Sequence, residues 1–434
     1  MKNLQKKINI QIRDTSLISL RKHTIRWEND RYVLCCPQTQ FCVFLTPKWK
    51  MLIELLDGHK RLHDVKAILL KKTHYFSKSM IDADAYFFVL QLIRWGFVKQ
   101  IDEVRLEYTH KTESKKDALP WLHAKHVQFL FGKVAKVLTI GTLTLGFAFC
   151  VSNPHYLPKT SDFFWSPNFL TSVLTSLVLS WTTLALHELG HFISAKRYGL
   201  RASFSLGVRL YFLVAQTTVY SIFMASKKQR LAIYSAGILV DILIMCITWI
   251  FLGISDLGFI VLPVFLYALL KQVLILQWFG ILWQFFFFMK TDVYFIISDS
   301  LGCETLIDNT LAYLRNKAIF FGKHISLFPK KIHHWIAGKK RVKLRYANRM
   351  EHEIVPLYAF FVTVGVGLMV LRFFLYYIPI NIEIFSKGIF TTLDGLQSLN
   401  TATLAQGLAV LALQIFNIGA MIVLNANRAK VPEQ

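Results

Sequence analysis

The hydrophobic pattern changes character about a third of the way along the chain. Up to about residue 130 apolar and polar positions are intermixed, and no apolar run approaches the roughly 20 residues that a bilayer crossing needs. Within that stretch YVLCCPQTQFCVFL predicts two short strands around a Pro-Gln-Thr turn, and KWKMLIELLDGHK predicts a helix closed by Gly58. Two further helical stretches are expected at roughly 62–73 and 79–95, the second ending at Gly96. Beyond residue 130 long apolar runs fall at 134–152, 169–193, 230–254, 258–289, 356–380 and 401–424, and six crossings is the simplest count. The 258–289 run is counted once, with room to tilt or to break near Lys271 and Gln272. Between the second and third runs VRLYFLVAQTTVYSIF alternates and is rich in β-branched and aromatic residues, which predicts a membrane-associated hairpin able to lie against a substrate.

The expected architecture is therefore mostly α: a polytopic membrane bundle of about six transmembrane helices, preceded by a soluble winged-helix-like α+β domain. Residues 1–130 form that domain, 131–305 a membrane-embedded core, 306–355 a basic loop, and 356–434 the C-terminal transmembrane helices. Composition agrees, since 54% hydrophobic residues and a mean hydropathy of +0.41 exceed what a soluble surface accommodates. The net charge of +24 would suggest nucleic acid if it lay on one soluble domain. Here the basic residues sit between apolar runs, so the implied partner is the anionic lipid membrane and nucleic acid is excluded. Lys196, Arg197, Arg201, Arg209, Lys227 and Lys228 crowd one loop, whereas 153–168, 255–257 and 381–400 hold only Lys159 and Lys387. That bias predicts a multi-pass protein with both termini cytoplasmic. The N-terminus has positive charge but no apolar core or cleavage site, so it is expected to stay on the mature protein. Cysteines 35, 36, 42, 150, 246 and 303 show no metal-ligand spacing, and neither a disulfide framework nor a zinc ribbon is expected.

Chemistry concentrates at the end of the second run, in LALHELGHFISAKRYG. His187 and His191 are four apart, share one helical face and can grip one zinc ion. Glu188 lies about 100° around the helix, where it can take a proton from water without ligating. A chance H-E-x-x-H in a chain of this length is on the order of one in a hundred, so coincidence is a weak account. The competing reading is a polar helix end reaching the headgroup layer beside Lys196 and Arg197. Zinc in a catalytic site takes a third protein ligand, and two aspartates compete for the role. Asp292 lies at the depth where the histidines leave their helix, and Asp241 is deeper; depth favours Asp292. The alternatives are an interfacial carboxylate beside Lys290 for Asp292 and a helix-packing polar group for Asp241. His123 and His126, His333 and His334, and the GKKRVKLR segment read as headgroup-facing rather than as sites, and no glycine-rich phosphate loop is present.

With those residues in place the chain resembles a known group. His187-Glu188-Leu189-Gly190-His191, Ala236-Gly237 and Asp292 are similar to the site-2 protease group of intramembrane zinc metallopeptidases, over about residues 170–305. The tail Asp292, Tyr294, Ser298, Asp299, Leu301, Gly302 is similar to the branch found with peptide-natural-product and bacteriocin systems. In the N-terminal domain Leu55-Leu56-Asp57-Gly58 and Arg94-Trp95-Gly96-Phe97-Val98 resemble a PqqD-like peptide-recognition domain, a pattern that a generic winged helix shares. The resemblance implies zinc on His187, His191 and Asp292, with Glu188 as base and Gly190 permitting close helix packing. It implies a zinc metalloendopeptidase of the bacterial cytoplasmic membrane, acting on a membrane-associated or leader-bearing peptide in bacteriocin or peptide maturation. The chain departs from the group at Gln284, Phe286 and Phe287, where Asn and Pro are usual, at Val293 in place of glycine, and at Ile238 and Asp241 in place of Pro and Asn. Those departures sustain a second expectation, a binding, export or immunity component with a remnant metal site.

Overall fold

The structure is a computed structural model, and it describes residues 12–72, 78–107, 117–209, 212–324, 341–344 and 346–428. Two compact units partition it: Met1–Asp117 with Val219–Arg230, and Ala118–Thr218 with Leu231–Gln434.

In the first unit the alternating stretches become two antiparallel sheets. Strands β1 (Leu17–Leu20), β5 (Asp57–Arg61), β6 (Val98–Ile101) and β7 (Val104–Arg105) form one, in the order β5-β1-β6-β7. Strands β2 (Thr24–Glu28), β3 (Arg31–Cys36) and β4 (Phe41–Leu45) form the other as a meander, with Thr24 opposite Cys35 and Cys35 opposite Cys42. The predicted strand pair is β3 and β4, while β1, β2 and β5–β7 were too short or too polar to announce themselves. Helices α1 (Pro47–Leu55), α2 (Leu62–Lys72) and α3 (Lys78–Arg94) cover a core of Leu34, Leu52, Leu62, Val65, Leu92 and Phe97. Gly96, at φ +75°, closes α3 as expected, with its N–H donating to Ile93 O (3.0 Å) and that of Phe97 to Leu92 O (2.9 Å). Gly58 does not close α1. The helix ends at Leu55, and Gly58 at φ +84° lies in β5, where an added Cβ would come within 2.9 Å of Ser19 Cβ. Cys35 and Cys42 are joined by a disulfide across β3 and β4, a single bridge that the cysteine spacing did not announce. Segment Val219–Arg230 packs on this unit: Phe223 meets the Phe44 ring edge to face, and Arg26 Nη1 donates to Met224 O (3.0 Å).

The second unit is helical. Its elements are α4 (Ala124–Val127), α5 (Lys133–Ser152), α6 (Phe169–Arg197), the hairpin β8 (Ala202–Arg209) and β9 (Phe212–Val219), α7 (Lys227–Tyr234, shared with the first unit), α8 (Ala236–Asp256), α9 (Val264–Gln284), α10 (Asp292–Ser300), α11 (Leu306–His324), α12 (Arg349–Arg372), α13 (Ile378–Gln397) and α14 (Thr401–Arg428). Among the described residues five helices are long and apolar enough to cross a membrane: Lys133–Ser152, Leu170–Arg197, Ala236–Asp256, Val264–Gln284 and Arg349–Gln397. Helix α12 runs through a π-helical turn at Phe373–Tyr377 straight into α13, so the expected loop at 381–400 is helix. The run at 401–424 opens α14, whose apolar stretch covers Thr401–Phe416 among the described residues. Helix α9 does not break at Lys271 and Gln272. The Gln272 side chain, buried and polar, donates to Ser172 O (3.0 Å) and Ser176 Oγ (2.8 Å) on α6, and so packs two helices together rather than disrupting one. Part of the expected basic loop 306–355 is helix α11, and His333, His334 and all of GKKRVKLR except Arg341–Leu344 lie outside the described residues. His123 and His126 are exposed, with His126 Nδ1 accepting the His123 backbone N–H (3.2 Å).

Candidate metal centre

Three elements deliver the site. Helix α6 carries His187, Glu188 and His191 on its last third, α8 passes beside it, and the turn after α9 brings Asp292 to the first position of α10. The approach of α8 to α6 depends on two small residues. A Cβ at Gly190 would lie 2.8 Å from Val240 Cγ2 and 3.0 Å from Ala236 O, as the packing role expected of Gly190 requires. At Gly237 the constraint is tighter, because a Cβ there would sit 2.4 Å from the Nε2 atoms of both His187 and His191. Only a residue without a side chain leaves that space open.

His187, His191 and Asp292 converge. Asp292 Oδ2 is 3.0 Å from each Nε2, and the two Nε2 atoms are 3.2 Å apart. All three residues are withdrawn from solvent, the histidines at 4% and 7% exposure and the Asp292 side chain at 19%. Each imidazole spends its other nitrogen on a fixed acceptor: His187 Nδ1 is 2.7 Å from Asp241 Oδ2, and His191 Nδ1 is 2.7 Å from Ile233 O. An ionised carboxylate and a backbone carbonyl only accept, so Nδ1 of each ring carries the proton and a neutral ring turns a bare Nε2 lone pair inward. Two lone pairs and a carboxylate oxygen facing one another in a buried space repel, and a cation among them reverses the sign. For tetrahedral zinc with bonds of about 2.0–2.1 Å the donor-to-donor distance is about 3.3 Å, close to the triangle observed. The donor set therefore fits a divalent cation such as zinc.

No family model, curated protein or solved structure matches the chain. What the site can do is therefore argued from its own atoms.

The residues around the donors fix their geometry. Asp241, one of the two aspartates in competition from sequence, takes the orienting place behind His187 while Asp292 takes the inward one. Asp241 is in turn held by Gln277 Nε2 on α9, which donates to its Oδ1 at 3.3 Å. Gln284, where the resembled group has Asn, accepts the Asp292 backbone N–H through Oε1 (3.2 Å), and its backbone carbonyl accepts Thr291 Oγ1 (2.7 Å). It thus anchors the turn that presents the carboxylate. Val293 needs no glycine, since it lies inside α10, and the left-handed residue of this turn is Lys290 at φ +56°.

Glu188 is also buried, at 8% exposure, and among the described residues its carboxylate has no hydrogen-bond partner. Its backbone carbonyl accepts Thr217 Oγ1 of β9 at 2.9 Å, which ties the hairpin to the same turn of α6. Sequence reasoning left the role of Asp241 open and did not reach Gln277 or the Ile233 carbonyl. The available signal was a carboxylate and an amide inside apolar runs, where a polar group persists when something holds it. The Ile233 carbonyl carries no side-chain signal at all.

Proposed function

We propose that the chain is a membrane-embedded zinc metalloendopeptidase that hydrolyses a membrane-associated or leader-bearing peptide. The observation that carries this reading is the pairing of a three-donor cluster with a buried carboxylate, one residue from a donor, that makes no hydrogen bond among the described residues. A divalent cation held by His187, His191 and Asp292 supplies a Lewis acid that polarises a carbonyl and makes water acidic near neutral pH. The protein's own groups do the rest. Asp241 and the Ile233 carbonyl hold the two imidazoles in the tautomer that leaves Nε2 free, and Gln284 fixes the Asp292 turn. Glu188 accepts the proton of the attacking water and returns it to the leaving amine, a task for which a carboxylate already committed to a hydrogen bond would be unfit. The hairpin β8–β9, tethered through Thr217 to the Glu188 turn, offers backbone edge to an extended substrate. The basic loops support a bacterial cytoplasmic membrane with both termini inside, and the N-terminal unit suits recognition of a leader peptide.

Glu188→Gln tests the proposal, because it keeps the size of the side chain and removes the base. The expected outcome is full zinc binding with cleavage reduced at least about 100-fold. Cleavage is read by mass spectrometry as peptide termini present in membranes of cells expressing the wild type and absent with the variant. Unchanged termini would sink the protease reading and leave a binding, export or immunity component with a remnant metal site.

A further inference from the structure

The hairpin β8–β9 meets α6 on one face of the helix, and that face carries Glu188. Residues four apart share a face, so Phe192 stands one turn beyond Glu188. Both strands touch this stripe. Thr217 of β9 donates its hydroxyl to Glu188 O (2.9 Å), and Phe204 of β8 stacks on Phe192 with ring centroids 4.8 Å apart and planes 26° from parallel. Phe192 is fully buried beneath that stack, whereas Phe204 is 46% exposed.

The path of β8 follows from how α6 ends. Gly199, at φ +71°, closes the helix with its N–H donating to Lys196 O (3.0 Å), and the N–H of Leu200 donates to Ala195 O (3.1 Å). The strand starts at Ala202 and has reached Phe192 by Phe204, so it runs back along the helix toward the helix N-terminus. Alternate residues of a strand face one way. Ser205 and Gln216 pair on the far side, Gln216 Nε2 donating to Ser205 Oγ (3.2 Å), while Phe204 and Leu206 share the side that meets α6. From Phe204 to Leu206 the strand advances about 6.6 Å, the rise of about four helical residues. Leu206 therefore stands level with Glu188, and it is 56% exposed. A leucine there offers the carboxylate no hydrogen bond. With Phe204 it forms an apolar shelf beside the group that handles the proton.

We infer that Phe204 and Leu206 are specificity-determining residues, which seat a large apolar side chain of the peptide next to the bond that is cut. The inference rests on the metal-site and hydrolase reading above and adds the substrate class to it: a peptide with a leucine-sized residue flanking the scissile bond. Such a side chain, laid on the shelf, covers apolar surface that the fold leaves open, and its backbone stays within reach of the hairpin edge.

The test uses the full-length chain in detergent loaded with cobalt(II), whose visible absorption reports a ligand entering the coordination sphere. Two peptide hydroxamates serve as probes, and they differ only in the side chain next to the metal-binding group, isobutyl in one and methyl in the other. The wild type is expected to bind the isobutyl probe about 10-fold more tightly, a modest gain for the added carbons because the shelf covers only one side of them. Leu206→Ala is expected to bring the two affinities within about 2-fold of each other, and Phe204→Ala to narrow the preference by less. Leu206→Phe, which crowds the shelf, is expected to favour the methyl probe. Leu206 is more than half exposed, so its variants fold. Wild-type selectivity retained in all three variants would overturn the inference and leave the metal centre standing, as would a cobalt-loaded wild type that binds neither probe. If the wild type and His187→Ala give the same cobalt spectrum, the centre falls and the inference with it. Proteolysis has its own readout. Peptide termini that are unchanged in Glu188→Gln, with selective probe binding, would keep the shelf as a peptide-binding feature and remove the cut. Where the termini do change, those made by the wild type are expected to carry a large apolar residue beside the cut, and small or charged residues there would overturn the inference.

Discussion

Each of the two units buries a carboxylate against a nitrogen base, and the two pairs are put to different ends. In the helical unit Asp241, at 4% exposure, accepts from His187 Nδ1 and from Gln277. In the N-terminal unit Glu28, with its side chain at 8% exposure, accepts from Arg26 and Arg230. The partner decides the consequence. Arginine stays charged at any pH that leaves a protein folded, so the Glu28 pair fixes a length of chain and responds only to protonation of its carboxylate. An imidazole that ligates must be neutral, so the Asp241 pair fixes a tautomer and a direction and responds to what the other nitrogen holds. Buried ionic groups of the first kind serve backbone placement, and those of the second serve chemistry.

The largest expected effect comes from making the same change once in each unit. Gly237→Ala places a Cβ 2.4 Å from both Nε2 atoms, so a ring or α8 itself must move, and zinc affinity is expected to fall by more than the about 100-fold that marks the upper end for an orienting residue. Gly58→Ala places a Cβ 2.9 Å from Ser19 Cβ at φ +84°, which costs about 1–3 kcal/mol of backbone strain in the N-terminal unit. Its Cβ would meet Ser19 alone and none of the metal donors, so zinc affinity is expected to be unchanged. Chelator competition and thermal unfolding of the two variants give the contrast. Equal zinc affinities in both would erase the distinction between a glycine that keeps space open beside the metal donors and one that lets two strands pair closely.

That asymmetry also explains what could be read in advance. The helical spacing of His187 and His191 is local, so their shared face was legible from four residues, and the depth of Asp292 followed from where two apolar runs end. The role of Asp241 was not legible, because an aspartate in an apolar helix announces that it is held without saying by what. Arg230 was invisible for a different reason: an arginine at the first position of an expected apolar run, just after a loop rich in Lys and Arg, looks like a topology signal, and its partner Glu28 is 202 positions away. Gln284 looked like a defect in a motif, yet its side chain holds the Asp292 backbone. Hydropathy misplaced the ends of α12 and α13, since a helix continues wherever its backbone bonds continue and not only while its side chains are apolar.

A smaller effect is expected from Asp241→Asn, which keeps the shape of the side chain and removes its charge. The amide can still offer an oxygen to His187 Nδ1, but it no longer raises the basicity of the ring or excludes the opposite tautomer. Zinc affinity is expected to fall about 10-fold with the fold intact. Gln277→Leu, which removes only the group behind Asp241, is expected to fall less. A variant that binds zinc as the wild type does would show that Asp241 packs helices and does not tune the metal, and would align it with Glu28 as a structural carboxylate.

The smallest effect is a pH dependence that the Glu28 pair has and the Glu28→Gln variant lacks. Burial acts to raise the Glu28 carboxyl's pKa, but the hydrogen bond and charge of Arg230, with those of Arg26, outweigh it and hold the group below its ordinary value of 4.5. An acid whose folded pKa is depressed binds more protons when unfolded, so stability rises with pH across the interval between the two values. The contribution of the pair is accordingly complete above pH 4.5 and is lost as pH falls through the folded value. Hydrogen exchange of the β2–β4 amides measures it, provided wild type and variant are compared at each pH so that the intrinsic pH dependence of exchange cancels. The gap in protection between them is expected to be constant from pH 7 to about pH 5 and to close below that. A gap that stays open in acid would mean that Glu28 holds α7 by shape and hydrogen bonding alone, and the contrast with Asp241 would then rest on what each carboxylate touches rather than on charge.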